Sequence, residues 1–175
     1  MRILTVCGSL RDGSTNSALL RTVAAVAPAG VEIDGFGGPA ALPHFNPDDD
    51  TEPLHPAVAD LRARLGAADA VLFCTPEYAG ALPGSFKNLL DWCVGAETMY
   101  GKPVAWINAS WAPTGAADAH ASLRIVLGYL SVRIVEEACA HIPVGRTMVG
   151  DDGLIHDEVT RDRVRETLDA LVKAG

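Results

Sequence analysis

The 175-residue sequence has no run of basic residues, no Cys-x-x-Cys pair and no apolar stretch approaching the length of a membrane span. The missing basic run, together with a formal net charge of −8, argues against nucleic acid or an anionic membrane as partner and favours a small molecule. The four cysteines, Cys7, Cys74, Cys93 and Cys139, are far apart and have no histidine at metal-ligand spacing. They read as small buried hydrophobes of a reduced compartment. The five histidines, His44, His55, His120, His141 and His156, show no repeated spacing, so no metal site is expected. Gly-x-Ser-x-Gly is missing, and Ser110 has no identifiable His/Asp partner, which removes a serine hydrolase. The chain enters its first strand without a charged-then-apolar leader, and a cytoplasmic protein is expected.

Two phosphate-binding loops are also missing. No Gly-x-Gly-x-x-Gly follows the first strand-like run, which excludes the dinucleotide fingerprint. Gly8 and Gly13 have P-loop spacing, but Ser14-Thr15 follow instead of Lys-Ser/Thr, so nothing neutralises a β/γ-phosphate pair. What is present is Gly8-Ser9-Leu10-Arg11-Asp12-Gly13-Ser14-Thr15-Asn16-Ser17, lying between the apolar run Ile3 to Cys7 and a helical pattern at Leu19, Leu20, Val23 and Val26. Hydroxyls and an amide around one guanidinium suit a single monophosphate at a helix N-terminus. The alternative is that Ser14 or Thr15 only caps the helix.

The remaining sequence alternates strand and helix signals. Val31 to Ile33 reads as a second strand, and an irregular Gly/Pro/Asp-rich segment from Gly35 to Pro56 reads as a lid or subunit contact, with His44 and Phe45 possible substrate-side residues. A helix over Ala57 to Gly66 leads into Ala70-Val71-Leu72-Phe73-Cys74, a buried strand. After the Pro/Gly-rich stretch Thr75 to Gly84, the spacing of Phe86, Leu89, Leu90, Cys93 and Val94 predicts a helix from Ser85. Val104 to Ile107 is a fourth strand, followed by a polar loop to Gly115 and a helix near Ala117 to Leu130. A fifth strand is expected around Val132 to Val135, and a last helix carries Val164, Leu168, Leu171 and Val172.

Five strands interleaved with five helices predict a single α/β domain over residues 1–175, a three-layer sandwich with a five-stranded parallel sheet and helices on both faces. With strand order 2-1-3-4-5, the loops after strands one and three wall a ligand cleft. One wall is the hydroxyl-rich loop. The other is Thr75 to Gly84, whose Pro/Gly backbone can approach the edge of a flat heterocycle. A phosphate at one end and a planar ring at the other is the shape of FMN.

Gly8-Ser9-Leu10-Arg11 with Ser14 and Asn16, then Pro76-Glu77-Tyr78 and Pro83-Gly84-x-x-Lys87-Asn88-x-x-Asp91-Trp92, closely resemble the NADPH-dependent FMN reductase family along essentially the whole chain. The resemblance implies a flavodoxin-like fold and FMN with its phosphate on Ser9, Arg11, Ser14, Asn16 and Ser17. It implies an isoalloxazine against Pro76, Glu77, Tyr78, Ala79 and Gly80, with a third contact around Ser110 and Trp111. It further implies hydride transfer from NADPH or NADH to the flavin, then two-electron reduction of a flavin, quinone, azo compound or similar acceptor. A homodimer or homotetramer, with the Ser85 to Val94 helix near a subunit contact, is implied as well. The chain departs from the family pattern at Ala79 and Ala81, where Asn and Ser are common, and at Gly115-Ala116, where a glycine pair is common.

No side-chain acid or base is required if the cofactor carries the chemistry. Glu77 is expected in a structural or subunit ion pair, Tyr78 in the wall around the flavin or nicotinamide, Lys87 and Asp91 as an i, i+4 surface pair, and Trp92 in packing at a helix or subunit contact. Two other readings are a flavodoxin-like electron carrier and a binding or sensing module that has lost flavin.

Overall fold

The computed structural model describes residues 1–175. Strand β1 (Arg2–Cys7) leads into helix α1 (Thr15–Val26), followed by β2 (Glu32–Phe36), α2 (Pro56–Ala67) and β3 (Ala70–Cys74). The chain continues through α3 (Gly84–Asp91), β4 (Pro103–Asn108), α4 (Ala117–Tyr129), the short strands β5 (Arg133–Ile134) and β6 (Ala140–His141), and α5 (Glu158–Ala174). The sheet is parallel throughout, in the order β2-β1-β3-β4-β5, and β6 also pairs with β4.

Alternation along the strands divides the core into two halves. Leu4, Val6, Val71, Phe73, Val104 and Trp106 face α2, α3 and α4, while Ile3, Ala70, Leu72, Cys74, Ala105 and Ile107 face α1 and α5. Because both faces of β3 are covered, all five of its residues are buried, the reason its sequence is an unbroken apolar run. The doubly wound order places the switch point between β1 and β3, as the sequence predicts.

Three local details add to the sequence reading. The fifth strand is broken: β5 pairs with Pro103 and Val104, a 3₁₀ turn at Glu136–Ala138 lifts the chain off the edge, and β6 returns to pair with Ile107 and Asn108. An edge strand tolerates such a break because only one side carries a ladder. The third helix stops at Asp91, so Val94, assigned to its buried face by periodicity, is 66% exposed. The Gly35 to Pro56 segment gives two residues to β2 and is tied against α2 and α3. Asn88 Nδ2 and Trp92 Nε1 donate to the Pro43 carbonyl at 2.8 and 2.9 Å, Phe45 packs edge-on to Trp92, and Arg62 holds Asp50 with two bonds of 2.7 and 2.8 Å. Neither His44 nor Phe45 lines the cleft described below.

Candidate functional site

The loops that leave the carboxyl ends of β1, β3, β4 and β6 enclose a cleft of about 470 Å³, within the usual size of a cofactor site. Its first two walls meet at Gly8, where the β1 ladder runs on past the strand as Gly8 N–H donates to the Cys74 carbonyl at 2.8 Å. A Cβ on Gly8 would lie 2.2 Å from Thr75 Oγ1 and 2.6 Å from its Cβ. Only glycine lets the two walls come this close.

Ser14 is the N-cap of α1, and its Oγ accepts from Ser17 N–H at 3.1 Å. The capping reading therefore holds, and it is also the means by which the loop presents donors. The backbone N–H groups of Gly13, Thr15 and Asn16 have no acceptor within the chain, and all three residues line the cleft. Asn16 Oδ1 faces the Cys74 thiol at 3.3 Å, which leaves its amide Nδ2 as the donor it can offer. The buried Ser9 accepts from Arg11 N–H, and the Arg11 guanidinium has no partner. This donor set, helix-end amides with hydroxyls and one unneutralised cation, is chemistry that suits a phosphate monoester.

The second wall is Pro76, Glu77 and Tyr78. Tyr78 exchanges two backbone hydrogen bonds of 3.1 Å with Ala81 around a two-residue turn, Ala79-Gly80. Both turn residues have positive φ, +53° and +69°, as a type I′ turn demands. That geometry suits Asn or Gly, so Ala79 departs from the common Asn at a cost in backbone strain. Ala79 and Gly80 are exposed and lie off the cleft lining, which on this loop ends at Tyr78.

Glu77 caps a helix and makes no ion pair within the chain. Ala116, at the N-cap of α4, has φ +52° and no side-chain acceptor, and Glu77 Oε2 takes the Ala119 N–H at 3.0 Å from across the cleft. A carboxylate at a helix N-terminus is stabilised by the unpaired amides and the helix dipole. The Glu77 N–H has no acceptor within the chain.

The third wall, Ser110 to Ala116, is fixed at both ends. Asn108 takes Ser110 N–H on Oδ1 at 2.9 Å and donates from Nδ2 to the Gly115 carbonyl. His141 on β6 donates from Nε2 to the Ser110 carbonyl at 2.8 Å. His120 Nδ1 donates to the Ala116 carbonyl at 2.8 Å, and burial holds this imidazole below its usual pKa.

Of the residues singled out in the sequence, Ser9, Arg11, Ser14, Asn16, Pro76, Glu77, Tyr78 and Ser110 converge on the cleft. Ser17 stands behind the first wall, its Oγ 2.8 Å from Ser14 Oγ and 3.4 Å from Cys7 Sγ. The fourth wall, Val144 to Arg146, has no signal in the sequence; the broken edge strand carries it there.

Comparison with known proteins places the chain among flavin-dependent reductases. The sequence model of the NADPH-dependent FMN reductase family matches residues 1–146. An NAD(P)H-dependent FMN reductase of Pseudomonas aeruginosa is 33% identical over 173 residues, 98% of this chain and 93% of that one. A 2-hydroxy-1,4-benzoquinone reductase of a Burkholderia species is 33% identical over 173 residues, with 97% and 93% covered. The flavoenzyme FerB, an NAD(P)H:(acceptor) oxidoreductase of Paracoccus denitrificans, aligns with a TM-score of 0.84 at 30% identity, over 98% of this chain and 97% of the other. The chain belongs to the NADPH-dependent FMN reductase family.

Proposed function

We propose that the protein is an FMN-dependent NAD(P)H oxidoreductase that reduces a small acceptor such as a flavin, quinone or azo compound. The observation that carries this reading is the cleft itself: unpartnered amides and an unpartnered guanidinium at one end, flat backbone walls at the other. Ser9, Arg11, Ser14 and Asn16 hold the FMN phosphate, with Ser17 positioning Ser14 from behind. Pro76, Glu77 and Tyr78 border the isoalloxazine through backbone groups, Ser110 closes its far side, and the Ala79-Gly80 turn sets the angle of Tyr78. When bound there, FMN would supply the two-electron chemistry between NAD(P)H and the oxidised substrate.

The protein's own contribution is orientation. Asn108, His141 and His120 pin the Ser110 to Ala116 wall, and Glu77 ties the β3 and β4 loops together, so the cleft is set before a ligand enters. Glu77 is occupied by Ala119 N–H and serves as neither acid nor base. Tyr78, half exposed, leaves one side of the site open to flat acceptors.

The 175 residues act as one flavodoxin-like domain, and the working form is a homodimer or homotetramer. Ile125 and Tyr129, 65% and 87% exposed on α4, support that association. No helix is long and apolar enough to cross a membrane, and a cytoplasmic location fits the free cysteines. The testing experiment is a visible spectrum of the FMN-reconstituted protein under anaerobic NADPH, with NADH in parallel. Bleaching of a protein-bound flavin band is expected. Bound flavin that neither nucleotide bleaches points to an electron carrier, and failure to take up FMN to a flavin-free module.

A further inference from the structure

In a chain with more acidic than basic residues, 22 against 14, a guanidinium without an acceptor in the chain stands out. Nine of the eleven arginines donate to a carboxylate or carbonyl oxygen of the chain. The remaining two, Arg11 and Arg146, donate from their side chains to nothing, and both line the one cleft. They reach it from different strands. Arg11 follows β1 and Arg146 follows β6, so three strand spacings, roughly 14 Å, separate the strands that deliver them. A single phosphate satisfies one of them. If the FMN phosphate lies at Arg11, Arg146 is left for a different anion.

What stands beside Arg146 narrows that anion. Trp92 and Trp106 are buried, whereas Trp111 is 70% exposed on the wall next to Arg146. An added Cβ on Gly145 would lie 4.0 Å from Trp111 Cε3, so the indole packs over the glycine that precedes Arg146. An exposed aromatic plate touching the neighbour of a lone forked cation matches a ligand with a flat heterocycle and a phosphate monoester close together.

Resting on the oxidoreductase reading above, we propose that Trp111 and Arg146 form the recognition site for the adenosine end of the nicotinamide co-substrate, with adenine on the indole and the 2′-phosphate on the guanidinium. Arg146 is then the residue that separates NADPH from NADH. The two cofactors differ only in that phosphate, and an unpaired cation loses a bidentate, charge-assisted partner when it is missing.

The test is calorimetric titration of the FMN-loaded protein and its Arg146→Gln, Arg146→Lys and Trp111→Leu variants with NADP⁺, NAD⁺, 2′,5′-ADP and AMP, alongside kcat/KM for NADPH and NADH. Arg146→Gln should weaken NADP⁺ and 2′,5′-ADP roughly tenfold to a hundredfold while NAD⁺, AMP and FMN stay within about twofold. Arg146→Lys should recover part of the loss, and Trp111→Leu should weaken both dinucleotides alike. The assignment is overturned if Arg146→Gln leaves NADP⁺ binding unchanged, weakens NADP⁺ and NAD⁺ equally, or releases FMN. Wild-type protein whose flavin neither nucleotide bleaches overturns the oxidoreductase reading itself. Wild-type bleaching with an unaltered Arg146→Gln variant overturns only the assignment of Arg146.

Discussion

Replacing Gly8 by Ala tests whether the two main walls of the cleft are held at the closest distance the backbone allows. The new Cβ would sit 2.2 Å from Thr75 Oγ1, 2.6 Å from Thr75 Cβ and 3.1 Å from Thr75 Cα. Ordinary carbon contacts are about 3.5–4.0 Å, so a shift of about 1 Å is required. Rotating Thr75 about its Cα–Cβ bond moves Oγ1 but not Cβ, and Thr75 is 1% exposed, so the shift falls on the backbone. Overpacking of this kind costs about 1–3 kcal/mol, and loss of the bond from Gly8 N–H to the Cys74 carbonyl adds about 1 kcal/mol. For a chain of this size each kcal/mol is roughly 2–4 °C in Tm, so a fall of roughly 4–16 °C is expected. Because the displaced segments carry Ser9 and Pro76, FMN affinity should fall with it. A double-mutant cycle read by calorimetry and flavin fluorescence settles the cause. Thr75→Gly removes both clashing atoms and should couple favourably with Gly8→Ala. Thr75→Ala keeps the Cβ and should couple little. Wild-type Tm and FMN affinity in Gly8→Ala, or equal rescue by both partners, would refute the reasoning.

Arg11→Ala should weaken FMN about 10–100-fold in a fluorescence titration but leave riboflavin unchanged, since one charge-assisted partner of the phosphate is lost; equal loss for both flavins would place Arg11 elsewhere. Ala79→Asn relieves a left-handed alanine and should add about 1 kcal/mol, or roughly 2–4 °C, whereas a lower Tm would show that the turn is not strained. Burial lowers the pKa of His120, so its contribution to stability is complete above the unfolded value of about 6.5 and is lost as pH falls below it. Tm should therefore drop from pH 7 to pH 5, and His120→Gln should flatten that slope; an unchanged slope would assign the acid lability to other groups.

The unbroken apolar run of β3, the hydroxyl-rich loop after β1 and the alternation of strands with helices were legible in the sequence. Each is a local pattern with a local cause: burial on both faces, an N-cap and the periodicity of an amphipathic helix. Strand order was taken as the flavodoxin-like 2-1-3-4-5, and that order, which the sheet has, places the loops of β1 and β3 side by side. The fifth strand lies where the sequence put it, at Arg133–Ile134, but Val94 was misread and β6 missed, because periodicity says nothing about where a helix stops or where a chain rejoins its ladder.

Local sequence settled the doubly wound class, the hydroxyl-rich loop at Ser9 to Asn16 and the Pro/Gly-rich loop at Pro76 to Tyr78, since these depend on residues close together in the chain. Tertiary structure alone decided that Glu77 caps α4, that Gly8 must yield to Thr75, and that Arg146 joins a cleft begun 135 residues earlier at Arg11. Those relations join residues far apart in the chain, and only the packing of the sheet edge fixes which distant side chain arrives and whether it finds a partner there.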